Sequence, residues 1–121
     1  MTSELFKEIT QWQKETFPHG SNVSKLKHLE EEIVELMEEL KSTSPNSQNI
    51  KNEYADCFIL LFGSAHINGY EYDDIVNLIR DKFEIIKKRK WGKPNEHGVV
   101  KHIKEEKVDE EKELWDEFLR K

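Results

Sequence analysis

Two short runs in this chain, Glu31-Glu32-Ile33-Val34-Glu35 and Glu53-Tyr54-Ala55-Asp56, place carboxylates one helical turn apart in segments with helical patterning. At about 100° per residue, Glu32 and Glu35 lie roughly 60° apart around a helix, and Glu53 and Asp56 do the same. Seventeen residues separate Glu35 from Glu53, enough to finish one helix, turn and bring an antiparallel partner alongside. Four carboxylates from two packed helices can converge on hard divalent cations, which take oxygen ligands. All-oxygen ligation favours Mg²⁺, with Mn²⁺ able to substitute. A di-iron carboxylate bundle is the nearest chemical rival, but its Glu-x-x-His motif is missing from both segments. An isolated Glu-Glu-x-x-Glu is ordinarily a solvated helix face. What points to metal is its pairing with Glu-x-x-Asp at the edge of an apolar helix, where an ionised carboxylate is costly without a partner.

The elements that must hold these residues are helices. Leu5, Ile9, Trp12 and Phe17 recur at near-helical spacing, so a first helix is expected over residues 3–16, closed by Phe17-Pro18-His19-Gly20. Ser21 or Ser24 can cap a second helix running to about Lys41. Its apolar residues Leu26, Leu29, Ile33, Leu36, Met37 and Leu40 fall within an arc of roughly 100°, the width of a core-facing stripe. His28, Glu32, Glu35 and Glu39 form the neighbouring stripe. Ser42-Thr43-Ser44-Pro45-Asn46-Ser47 is a loop by composition. A third helix is expected over about 48–67. Its centre is apolar all round, which predicts the innermost position with a second subunit as a source of cover. Asp73 or Asp74 can open a fourth helix with Ile75, Leu78, Ile79, Phe83 and Ile86 inward, ended by Trp91-Gly92-Lys93-Pro94. Beyond residue 103 the chain is dense in charge. Val108, Leu114, Trp115, Phe118 and Leu119 suit one stripe of a short helix. The expected organisation is therefore an all-α domain over residues 1–103 and a charged helical segment over 104–121.

Composition narrows the partners. A chain of 121 residues buries only a modest core alone, so self-association into a homodimer or homotetramer is expected. A net charge of −6 argues against a nucleic-acid polymer, which calls for a basic surface. The charge is uneven: residues 30–39 hold six Glu and no cation, whereas Lys82 and Lys87-Lys88-Arg89-Lys90 make the fourth helix basic. Acids for a metal beside cations for phosphate suit a nucleotide. Cys57 is the only cysteine, which excludes an intrachain disulfide and suits a reducing cytoplasm. Met1-Thr2-Ser3-Glu4 lacks signal-peptide character and no apolar run approaches membrane-spanning length, so a cytoplasmic protein without membrane association is expected.

A helix carrying Glu-Glu-x-x-Glu followed by one carrying Glu-x-x-Asp resembles the all-α nucleoside triphosphate pyrophosphohydrolases: the MazG-like enzymes, dimeric dUTPases and phosphoribosyl-ATP pyrophosphohydrolases. The likeness extends through His28-Leu29, Leu36 and Cys57-Phe58-Ile59-Leu60-Leu61-Phe62. Lys82, Arg89, Trp91 and Gly98-Val99-Val100-Lys101-His102 are similar to the MazG-like branch of dATP/dGTP diphosphohydrolases. Ile86 departs from the pattern, standing where many members carry Asn. The resemblance covers roughly residues 5 to 103 and implies a four-helix-type MazG-like bundle, oligomeric, with a short C-terminal helix. It also implies attack at the α-phosphorus of a nucleoside triphosphate, dATP or dGTP first, giving the monophosphate and pyrophosphate. Glu32, Glu35, Glu53 and Asp56 are then the metal ligands, Glu31 the water-orienting carboxylate, and Lys82 and Arg89 the phosphate contacts. His28 either touches water or phosphate or is bonded to a backbone or carboxylate group. Trp12 and Phe17 are either core residues or the platform for the base, which the family places near the first helix. Noncanonical nucleotides, dUTP and phosphoribosyl-ATP are alternative substrates, and a non-catalytic helical partner protein holding a structural ion is the alternative of a different class.

Overall fold

The first four N–H groups of a helix have no partner within it, and in this chain side chains answer them. In the computed structural model, which describes residues 1–103, 115 and 117–119, Leu5 N donates to Thr2 Oγ1 at 3.1 Å to open α1 (Ser3–Thr16). Both serines expected as caps act together at α2 (Asn22–Lys41): Ser24 N donates to Ser21 Oγ and Ser21 N to Ser24 Oγ, a reciprocal capping box. Asn49 N donates to Asn46 Oδ1 to open α3 (Ser47–Ile67). Glu71 N donates to Asp74 Oδ2 at 2.8 Å at the start of α4 (Tyr72–Lys88). Gly69, at φ +101°, takes the left-handed conformation that closes α3, a position where glycine carries no Cβ penalty. The architecture is all-α, with no strand among the described residues.

The described chain divides into two units, Met1–Ile75 and Val76–Lys121. In the first, α3 packs chiefly against α2 and to a lesser extent against α1. Phe6 is fully buried at the centre, with the rings of Phe62, His66 and Tyr72 at 6.1, 5.8 and 5.8 Å between centroids. Burying such a side chain is worth about 1.5–3 kcal/mol. Polar ties fix the helix ends: Ser64 Oγ donates to Asn22 O at 2.9 Å and Tyr72 Oη to Met1 O at 2.7 Å. Asn46 N donates to Glu39 Oε1 at 2.6 Å across the turn between α2 and α3, so Glu39 serves the turn.

Two expectations about the core are corrected. On α3, Tyr54, Phe58 and Leu61 are exposed and only Gly63 and Ser64 are buried, so it is not innermost within one chain: two neighbouring helices cannot cover every face of a third. Likewise Leu26, Ile33, Met37 and Leu40 on α2 are exposed, and Leu36 alone of that stripe is buried. On α4 the buried residues are Ile75 and Ile85, while Leu78, Ile79 and Phe83 are exposed.

In the second unit, residues 90–92 and 101–103 pair antiparallel after the helix. Gly92 N donates to Lys101 O at 2.9 Å and Ile103 N to Lys90 O at 2.6 Å, and the rings of Trp91 and His102 meet edge to face. Asn95 holds the intervening turn by accepting from His97 N and Val99 N. Trp115, Glu117, Phe118 and Leu119 are helical; the expected stripe members Val108 and Leu114, and most of the 104–121 segment, lie outside the described residues.

Candidate active site

Antiparallel packing of α2 on α3 carries the two acidic runs to one place. Carboxylate oxygens of Glu32, Glu35 and Glu53 lie within 4.8 Å of one another. Glu53 Oε2 is enclosed and, with its neighbours ionised, has no hydrogen-bond donor. Sharing a proton with Glu32 is the largest reason the Glu53 carboxyl titrates above the usual carboxylate range; burial and the negative charges of Glu32 and Asp56 push the same way, and a hydrogen bond with Glu35 opposes them. An enclosed oxygen without a donor, among three converging carboxylates, is a donor set that a hard divalent cation satisfies. The chemistry of the site and its electrostatic strain therefore agree.

Asp56 stands outside that trio but acts on Glu53 through its charge and lines the adjoining cavity. Cys57, next along α3, is half-buried. Burial first, then Glu32, Glu53 and Asp56, push its thiol up, so it is held protonated rather than poised as a nucleophile. His28 takes the carboxylate-bonded alternative: its Nε2 is 3.1 Å from Glu32 Oε1. Glu31 is exposed and outside the trio.

Beside the acids opens a cavity of about 760 Å³, lined by Glu32, Asp56 and His28 toward the acids and by Trp12, Phe17 and Lys25 among its other residues. Trp12 and Phe17 are not core residues. They are 56% and 51% exposed, with rings set edge to face 5.5 Å apart between centroids. The end of α1 and the α1–α2 turn therefore present two aromatic rings to the same space that the acids reach.

Two lining residues escaped the sequence reading. Lys25, on the first turns of α2, is only 8% exposed, with Nζ 5.5 Å from the centroid of the Phe17 ring. Gln13 is buried on α1 and its Nε2 donates to Ile59 O at 3.3 Å. A lysine among Ser24, Lys27 and His28 reads as a surface charge, and only the fold of the turn over it shows otherwise.

Lys82 and Arg89 belong to the second unit. Both are half-buried, Lys82 on α4 and Arg89 just past its end, and Lys82 Nζ lies 5.6 Å from the centroid of the Trp115 ring. Among the described residues no helix is long and apolar enough to cross a membrane.

Comparison with known proteins agrees with this geometry. A search of curated proteins gave no match. Among solved structures, the chain is similar to the cyanophage S-2L MazG-like pyrophosphohydrolase bound to dGDP and three catalytic Mn²⁺ ions per active site. The identity is 30%, the TM-score 0.68, and the match covers 86% of this chain and 99% of that one. The dATP/dGTP pyrophosphohydrolase model matches residues 5–110. With the paired acidic helices, the aromatic-lined cavity and this match along most of its length, the chain belongs to the dATP/dGTP pyrophosphohydrolase family and is a nucleotide pyrophosphohydrolase.

Proposed function

We propose that this pyrophosphohydrolase cleaves a purine deoxynucleoside triphosphate, dATP or dGTP, to the monophosphate and pyrophosphate with divalent cations held by Glu32, Glu35, Glu53 and Asp56. The observation that carries this reading is the convergence of Glu32, Glu35 and Glu53 beside a cavity walled by two exposed aromatic rings. Such a cavity takes a base at one end and phosphates at the other. The cyanophage relative binds dGDP and Mn²⁺, which supports both halves of the assignment. Mg²⁺ is the expected physiological ion, with Mn²⁺ as a substitute, because both accept all-oxygen sites.

Bound cations would supply positive charge against the phosphate oxygens and acidify water. The chain's own residues do the rest. Glu32 and Glu53 hold their oxygens together against mutual repulsion, and His28 steadies Glu32 from one turn earlier. Glu31, one turn before Glu35, is assigned to orient the attacking water and accept its proton. The water oxygen bonds to the α-phosphorus as the bond to the bridging oxygen breaks, and pyrophosphate leaves with that oxygen. Lys82 and Arg89 are assigned to the phosphate oxygens, as charge-assisted donors that suit a polyanion. Trp12 and Phe17 are assigned to the base.

The exposed apolar rows on α2 and α3 support function as a homodimer or homotetramer, since Ile33, Met37, Tyr54, Phe58 and Leu61 together exceed what a monomer leaves bare without use. Residues 1–103 would form the catalytic domain and 104–121 an appended charged helix. The deciding experiment is a pyrophosphate-release screen over dATP, dGTP, dUTP, noncanonical nucleotides and phosphoribosyl-ATP, with Mg²⁺, with Mn²⁺ and with chelator. Release from the two purine deoxynucleotides alone, abolished by chelator, is the expected result. Faster release from dUTP or phosphoribosyl-ATP would refute the substrate assignment.

A further inference from the structure

Lys25 is a cation in an unusual place. It is more than nine-tenths buried, it lines the cavity, and among the described residues it is the only lysine or arginine that does so. Its Nζ sits 5.5 Å from the centroid of the Phe17 ring, and among the described residues it makes no ion pair with a carboxylate. The turn over it keeps it there: a Cβ at Gly20 would come within 3.7 Å of Nζ. The buried stem carries the ammonium to the cavity, where the face of one aromatic ring leaves its three N–H donors open to whatever enters.

Position decides which part of a nucleotide that is. Lys25 and Glu32 are seven residues apart on α2, so they share a face and stand about 10 Å apart along the axis. The acids hold the phosphate end. Lys25 Nζ points back to the Phe17–Gly20 turn, beside the two aromatic rings. It therefore meets the base. An ammonium only donates, so it is matched by a carbonyl edge and mismatched by an amino edge. Guanine offers O6 and N7 as adjacent acceptors, whereas adenine sets an N6 donor beside its N7.

We infer that Lys25 is the specificity-determining residue of this cavity, donating to the carbonyl edge of the base and selecting 6-oxopurines over 6-aminopurines. The inference rests on the reading of the cavity as a nucleotide site and deepens it by choosing guanine over adenine.

The test uses the full chain and two readouts. Calorimetric titration of dGMP, dIMP and dAMP in chelator examines the base contact without cations or turnover; efficiencies on dGTP, dITP and dATP with Mn²⁺ examine it during hydrolysis. dIMP keeps O6 and lacks the 2-amino group, so it isolates the proposed contact. The wild type should bind dGMP and dIMP at least about tenfold more tightly than dAMP, the scale of one charge-assisted hydrogen bond. Lys25→Met should bring the dIMP-to-dAMP ratio to within about twofold of unity, and Lys25→Arg, which keeps charge and donors, should retain the order. Equal weakening of all three nucleotides by Lys25→Met would make it a phosphate contact and overturn the inference, as would an unchanged ratio. A wild type that prefers 6-oxopurines yet releases no pyrophosphate from any triphosphate would refute the hydrolytic reading while supporting the base contact.

Discussion

Gly63 is buried where α1 crosses α3, and a methyl group there would meet Gln13. A Cβ at that position lies 2.6 Å from Gln13 Oε1, 2.7 Å from Nε2 and 2.9 Å from Cδ, so the amide must move by about 1 Å to reach ordinary contact distance. All three atoms belong to the far end of one side chain, and Gln13 lines the open cavity, so the amide can swing into that space without displacing α1. Moving it breaks the 3.3 Å bond to Ile59 O, a loss of about 1 kcal/mol. Replacing a mid-helix glycine by alanine returns about 0.5–1 kcal/mol. The expected net change for Gly63→Ala is thus under about 1 kcal/mol, a shift of only about 4 °C in Tm for a chain of this size. Activity should suffer more than stability, with KM rising because the displaced amide occupies the cavity. Urea unfolding of Gly63→Ala, Gln13→Ala and the double variant checks the reasoning. With Gln13 truncated, Gly63→Ala should stabilise by about 0.5–1 kcal/mol, giving a coupling of about 1 kcal/mol between the positions. If Gly63→Ala destabilises by the same amount in both backgrounds, the conflict is not with Gln13 and the argument fails.

Glu53→Gln should abolish most turnover yet leave the cation-free fold as stable or more so, because it gives Glu32 a permanent donor. Since Glu53 titrates above the usual range in the folded chain, its protonated form favours folding. That contribution is complete at acidic pH and is lost as pH rises through the raised value. Unfolding free energies in chelator should therefore fall with pH over that window more for the wild type than for Glu53→Gln, and parallel curves would contradict the assignment. Lys82→Ala should lower catalytic efficiency about ten- to hundredfold, the scale of one charge-assisted bond, by the same factor for every base, because phosphate carries no base identity. A loss confined to one base would move Lys82 away from the phosphates. Light scattering at micromolar concentration should give a mass of at least two chains, and a mass near 14.4 kDa would show the apolar faces of α2 and α3 uncovered in solution.

How much was legible in advance depends on the range of the interactions involved. Helix existence and limits are set locally, by caps and by the residues that end a run. Thr2, Ser21 with Ser24, Asn46 and Gly69 stand within three residues of the N–H groups or turns they serve, so the sequence alone determined the first three helices to within about a residue and the start of the fourth, which stops at Lys88 rather than running on to Trp91. The one-turn spacing of the carboxylates was legible for the same reason, since helical geometry relates Glu32 to Glu35 and Glu53 to Asp56 without any tertiary contact. Which of them converge is a different matter. Only the packing of α2 on α3 brings Glu32, Glu35 and Glu53 within 4.8 Å and leaves Asp56 at the cavity wall. Burial, too, was decided by the fold. Apolar periodicity marks a stripe but not what covers it, so Ile33, Met37 and Phe58 read as core and emerge exposed, while Trp12 and Phe17 face a cavity. Lys25 shows the limit most plainly. Its type and neighbours spell a solvated charge, and only the turn from Phe17 to Gly20, folding back over α2, makes it a buried cation facing the same cavity as the acids.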